Sequence, residues 1–175
     1  MRALVVYESM FGNTASIAKA IRDGISDHLE TDLVEVGGAS PQVGDETILL
    51  VVGGPTHALG LSSAQTRHTA QTKATTSVIS ARIGIREWIT ELVVDSARTT
   101  FATFDTRTKH HWIPGSAAVK ADTALRRLGL SSTGAPTSFL VNGTPGPLLP
   151  GELERAREWG ALLGAASVAR QGAHR

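Results

Sequence analysis

The sequence predicts a doubly wound α/β domain with five parallel strands in the order 2-1-3-4-5 and helices on both faces. Three observations predict it. Apolar runs of strand length recur along the chain, and amphipathic helical stripes lie between them. A chain of 175 residues also accommodates five strand–helix units more readily than a longer six-stranded dinucleotide fold. No internal repeat is present.

Residues 3–7 are an unbroken apolar run, as expected of a parallel strand buried on both faces. A helix over 13–29 follows, in which Ile17, Ile21, Ile25 and Leu29 recur every four residues as one stripe. Residues 32–36 alternate and make a weaker strand, and 47–52 are a second unbroken run. From 62 to 82 the rhythm breaks. This stretch is rich in Thr, Ser and Ala, holds no acid, and carries Arg67, His68, Lys73 and Arg82. It predicts a partly helical excursion on the surface, mobile in its middle at 72–77.

Ile85, Ile89, Leu92 and Val93 form the next stripe, and 99–104 alternate as the fourth strand. Ala117, Ala121, Ala124, Leu125 and Leu128 make a third stripe, with Ser116 as N-cap and Gly129 closing it. Residues 138–141 are the fifth strand, followed by a turn at Asn142, Gly143, Thr144, Gly146 and Pro147. The last helix starts after Pro150 and carries Leu153, Ala156, Gly160 and Leu163. Trp88 and Trp159 sit within amphipathic helices and read as packing. One domain is expected over 1–168, with 169–175 a flexible tail.

Composition narrows the function. The chain has no Cys, which excludes disulfides, thiolate metal sites and Cys nucleophiles. Its formal net charge of +1 offers no electrostatic footprint for nucleic acid. No apolar run reaches membrane-spanning length, and residues 1–8 do not have the pattern of a signal peptide. The expectation is a soluble cytoplasmic protein with no membrane insertion.

The most informative segment is the loop after the first strand: Ser9, Met10, Phe11, Gly12, Asn13 and Thr14. A strand running into a hydroxyl-bearing loop and then a helix supplies inward N–H donors and a favourable dipole to a phosphate. Ser9, Thr14 and the Asn13 amide add donors without charge, and Gly12 permits close backbone approach. Neither a GxxxxGK(S/T) loop nor a GxGxxG follows this strand. A phosphate monoester therefore fits better than a nucleoside triphosphate or a dinucleotide; the alternative is an ordinary capped β–α turn.

With Val5, Val6, Tyr7, Ser9, Gly12, Thr14, Ala18 and Ile21, this segment resembles the flavodoxin signature. The variant Ser-Met-Phe-Gly-Asn-Thr is similar to the loop of flavodoxin domains in flavodiiron proteins and of flavodoxin-like protoporphyrinogen oxidases. The resemblance implies a flavodoxin-like fold, and implies that residues 9–14 hold the phosphate of FMN.

Further expectations follow from this resemblance. The loop after the third strand contains Pro55, Thr56 and His57, which faces the same crevice as the first loop. In flavodoxin-like proteins a Pro-Thr pair here borders the ribityl chain and the flavin. His57 is either at the ring edge or a solvated loop histidine. The loop after the fourth strand, 105–116, would cover the other side of the ring through Asp105, Thr106, Arg107 and Trp112. The family often has a Tyr there, and the only Tyr in this chain is Tyr7. Stacking would fall to Trp112, to a His, or be absent. Adjacent His110 and His111 lack a carboxylate ligand set, so a metal is not expected. Arg107, Lys109, His110 and His111 form either a solvated basic loop or an anion-attracting rim.

The leading function is thus an FMN-binding flavoprotein in electron transport, with an unidentified redox partner protein or a small anionic substrate. The alternatives are a small FMN-dependent oxidoreductase acting on a quinone, a porphyrinogen or NAD(P)H, and a flavin-free binding module of the same fold. Carrier flavodoxins are typically acidic around the flavin, and the basic loops here depart from that.

Overall fold

In the computed structural model, residues 1–57, 60–74, 77–95, 97–109 and 115–173 are described. The strands are β1 (Arg2–Tyr7), β2 (Glu30–Glu35), β3 (Gln42–Val43), β4 (Thr47–Pro55), β5 (Val93–Val94), β6 (Thr100–Thr108), β7 (Ser131–Ser132) and β8 (Thr137–Val141). The helices are α1 (Asn13–Ile25), α2 (Ala64–Lys73), α3 (Ile85–Glu91), α4 (Ala117–Arg127) and α5 (Glu152–Ala173).

The main sheet is parallel, with β2, β1, β4 and β6 in that order and both β7 and β8 beside β6. This is the expected 2-1-3-4-5 arrangement, its fifth strand interrupted around Gly134 and Pro136 into β7 and β8. Short β3 and β5 pair separately.

Successive side chains of a strand point to opposite faces, and here both faces are covered. Ala3, Val5, Leu49, Val51 and Phe104 pack with Ile17, Ile21 and Ile25 of α1 and with Ala156 and Leu163 of α5. Val6, Leu50, Val52 and Phe101 pack with Ile85, Trp88 and Ile89 of α3 and with Ala117, Ala121 and Leu125 of α4. This two-sided burial is why β1 and β4 read as unbroken apolar runs. Trp159 meets Phe104 and Phe139 edge-on, at centroid distances of 6.4 and 6.1 Å, and Trp88 is buried with its Nε1–H donating to the Ala39 carbonyl. Both tryptophans are packing residues, as expected.

Several boundaries differ from the sequence expectation; α3 ends at Glu91, and Val93 of its expected stripe belongs to β5. β4 continues through Pro55 and β6 through Thr108, so Asp105, Thr106 and Arg107 lie on a strand and not in a loop. Cross-strand pairing causes this: Gly53, Gly54 and Pro55 stand opposite Phe104, Asp105 and Thr106, and β8 pairs with the other edge of β6 as far as Thr108. α1 ends at Ile25, because Leu29 belongs to the turn into β2. α5 remains helical through Ala173, past residue 168.

The 62–82 excursion is also more built than expected. α2 is a full helix, opened by reciprocal capping between Ser63 and Thr66. Beyond it, Ile79 and Ser80 donate backbone hydrogen bonds of 3.2 and 2.8 Å to the carbonyls of Met10 and Ser9. The segment thus straps onto the loop after β1. Thr75 and Thr76, within the stretch expected to be mobile, lie outside the described residues. Among the described residues, no helix is long and apolar enough to cross a membrane.

Candidate functional site

At the carboxyl ends of the strands lies a cavity of about 340 Å³, within the range of small-ligand sites. The loop after β1 and the first turn of α1 contribute Met10, Phe11, Asn13 and Thr14; the end of β4 contributes Pro55, Thr56 and His57. Thr66, Thr69 and Ala70 of α2 form another wall. Thr106, Arg107 and Thr108 of β6, with Val141 and Thr144, complete it.

The amino end of α1 is built to receive an anion. Gly12 takes the N-cap position with φ of 91°, a left-handed conformation that glycine adopts without strain. Gly12 itself offers no side-chain cap, and no acid lies in the first turn. The buried Ser9 hydroxyl accepts from the N–H groups of Gly12 (3.2 Å) and Ala15 (3.3 Å), which shapes the turn. The N–H groups of Asn13 and Thr14 have no acceptor within the helix, as first-turn donors never do, and they carry its positive dipole end.

Hydroxyl donors stand beside them. Thr14 Oγ1 and Thr106 Oγ1 are 2.7 Å apart. Two such hydroxyls carry two protons and use one between them, leaving one for a ligand oxygen. Asn13 Nδ2 donates one hydrogen bond to the Pro145 carbonyl at 3.0 Å, which ties the 142–151 turn to the helix start. Its second amide proton is available to a ligand. These neutral donors and the helix dipole match a phosphate monoester.

Of the residues singled out in the sequence, Met10, Phe11, Asn13, Thr14, Pro55, Thr56, His57, Thr106 and Arg107 line the cavity. Ser9, Gly12 and Asp105 do not line it. They hold residues that do. Asp105 is fully buried, and its Oδ2 accepts from Thr56 Oγ1 (2.8 Å), Ser116 Oγ and the Ala118 N–H (3.2 Å). It therefore pins the amino end of α4 to β4 instead of facing a ligand. Thr56 Oγ1 also accepts from the Ala117 N–H at 2.9 Å, so this hydroxyl is committed to the scaffold. Trp112, His110 and His111 lie outside the described residues.

His57 is half-buried in a tight turn, exchanging 2.9 Å backbone hydrogen bonds with Gly60. Burial, and the nearby Arg67 guanidinium, push its pKa below the ordinary histidine value. The ring is a neutral group at pH 7, at the cavity edge.

Behind the α2 wall lies a buried polar network that the sequence did not suggest. Arg67, 2% exposed, donates to Ser62 Oγ (2.8 Å) and to both carboxylate oxygens of Glu87 (3.2 and 3.1 Å). Glu8, fully buried, accepts from the Ile85 N–H at 2.9 Å. Burial raises the Glu8 pKa above the ordinary carboxylate value, against the opposing pull of Ser62, the Ile85 N–H and Arg67. Glu87 goes the other way. Despite partial burial, the Arg67 hydrogen bond holds its pKa down.

The wall residues Thr66, Thr69 and Ala70 were also missed. Their i, i+3, i+4 spacing behind a Ser63–Thr66 cap was the available signal, masked by the low apolar content of the helix.

A family model described as flavodoxin matches residues 5–159. Among curated proteins, no sequence matches the chain. Among solved structures, the chain is similar to a flavodoxin from the domain Archaea, with 17% identity and a TM-score of 0.66, covering 96% of this chain and 99% of that one. It is similar to oxidised flavodoxin 1 from Bacillus cereus, with 13% identity and a TM-score of 0.66, over 97% and 98% of the two chains. The flavodiiron protein from Giardia intestinalis matches with 19% identity and a TM-score of 0.60, over 96% of this chain and 36% of that one. At these identities the structural likeness is one of fold.

Proposed function

The chain belongs to the flavodoxin family, with FMN as its cofactor and electron transfer as its function, and from this premise we propose that it is an electron carrier whose cavity at the strand ends seats the FMN. The observation that supports this most is the start of α1: it has a glycine at the N-cap, is free of acid in its first turn, and opens into a cavity of ligand size. The Asn13 and Thr14 N–H groups, the Asn13 amide and the Thr14–Thr106 hydroxyl pair would hold the phosphate. Pro55, His57, Ala70 and Val141 would border the ribityl chain and the ring, with α2 excluding water on one side.

When bound, FMN supplies a couple that takes up one or two electrons. The protein's part is to make negative charge tolerable in a partly dry cavity. The amino end of α1 and the Arg107 guanidinium do this without a proton having to move. Neutral His57 adds a polar edge without a second fixed charge.

A second reading, a small FMN-dependent oxidoreductase, is favoured by Arg107, a cation inside the cavity that suits an anionic substrate such as a nicotinamide nucleotide. Visible absorption of the purified chain with and without added FMN tests the shared premise, with a one-to-one flavin complex as the expected result. Absence of any flavin complex would overturn it. Steady oxidation of NAD(P)H by the loaded protein alone would favour the enzyme over the carrier.

A further inference from the structure

We propose that the face around the cavity mouth is a docking surface for an electron-transfer protein that presents acidic side chains. This rests on the carrier reading above and names its partner class. The chain holds 16 acids, yet none falls within 9–22, 47–86, 106–121 or 123–151. Within these ranges fall the stretches that leave the carboxyl ends of β1, β4, β6 and β8, at the cavity end of the sheet.

The acids that do lie at that end are mostly committed inside the protein. Glu8 and Asp105 are fully buried. Glu87 is paired with Arg67 (3.1 Å) and Glu152 with Arg155 (2.6 Å), while Glu35 accepts from the Ser80 hydroxyl and the Gly37 N–H. Glu154, in the first turn of α5, is the exposed one. Exposed acids gather instead at the opposite end: Asp27 and Glu30 between α1 and β2, Asp45 and Glu46 before β4, and Glu91 and Asp95 before β6.

The cavity end is basic. Arg107 lines the cavity, Lys109 is exposed at the end of β6, and Lys120 is exposed early in α4. The Lys120 stem lies over the loop after β4, since a methyl added at Gly60 would sit 3.3 Å from Lys120 Cγ. A formal charge of +1 therefore hides a sorted distribution. Of these cations only Arg107 enters the cavity. Lys109 and Lys120 stay outside on separate elements, which suits a broad acidic surface better than one small anion.

The test uses the FMN-loaded protein, reduced photochemically without oxygen and mixed with ferric cytochrome b5, an acidic haem protein, in a stopped-flow instrument. One electron passes from reduced FMN to the haem iron, giving ferrous haem. The rate should fall about tenfold or more as ionic strength rises from roughly 10 to 500 mM. Lys109→Glu with Lys120→Glu should slow it about tenfold at low salt, with FMN affinity and Tm unchanged. Basic cytochrome c should show the opposite salt slope.

A rate with cytochrome b5 that ignores salt, or rises with it, would overturn the proposal. So would salt dependence seen only with ferricyanide, which would mark a small-anion site. Should the chain bind no flavin, the carrier reading fails separately. Salt-sensitive association of the flavin-free chain with cytochrome b5, followed by NMR, still decides the surface.

Discussion

At Thr14 a single hydroxyl stands between scaffold and ligand. With Thr106 donating across their 2.7 Å contact, Thr14 keeps its own proton for a ligand oxygen, and Thr14→Val should remove that donor. The expected cost is about 1–3 kcal/mol, or roughly 5- to 150-fold in FMN affinity. Quenching of FMN fluorescence on titration measures it, and unchanged affinity would mean that the hydroxyl serves only Thr106. Glu8 makes a prediction of opposite character, because it touches no ligand. Its pKa is raised by burial above the ordinary value of 4.5, so the folded state holds this proton more tightly than the unfolded chain. Below about pH 4.5 both states are protonated and the group contributes no pH dependence. As pH rises through that value the unfolded chain ionises first, and stability falls until the folded-state pKa is passed. Glu8→Gln should therefore lose less stability than wild type as pH rises above about 4.5. Urea midpoints across this range check it, and parallel curves for the two proteins would refute it.

Among the elements, the pair α1 and α5 bears most directly on the site, since α1 carries the anion-binding N–H groups. The two helices approach so closely that a Cβ at Gly24 would overlap the Arg157 carbonyl, and one at Gly160 the Ile21 carbonyl. Gly160→Ala should push the helices apart and cost about 1–3 kcal/mol. At roughly 2–4 °C per kcal/mol for a chain of this size, Tm should drop by about 2–12 °C in a circular-dichroism melt. An unchanged Tm would show that the backbones relax freely. α2 is anchored differently, through Arg67 to Ser62 and Glu87, and not by an apolar stripe. That explains why a polar helix can form a cavity wall.

For the whole molecule, folding and FMN binding are coupled through the loops that meet at the strand ends. A ligand that binds only the folded state at a hundred times its Kd adds about 2.7 kcal/mol. The melting temperature should accordingly rise by roughly 5–11 °C on saturation with FMN. Riboflavin, which lacks the phosphate, should give a smaller rise at equal concentration if the start of α1 is the anchor. Equal shifts for the two compounds would place the binding energy elsewhere.

The strand–helix alternation and the phosphate loop were legible in the sequence because both are local. Strands covered on two faces are apolar without interruption, and a hydroxyl-rich turn into a helix supplies anion donors wherever it folds. Partners distant in sequence decided the rest. Gly53, Gly54 and Pro55 look like a loop and are strand, because β6 pairs with them. Asp105 looks like a ligand contact, but it is buried, and its Oδ2 holds Ser116 and the start of α4. Arg67 looks solvated and is buried, because Glu87, twenty residues on, neutralises it. The acid-free segments are visible in the sequence one at a time. Only the doubly wound topology brings the loops they contain to one end of the sheet.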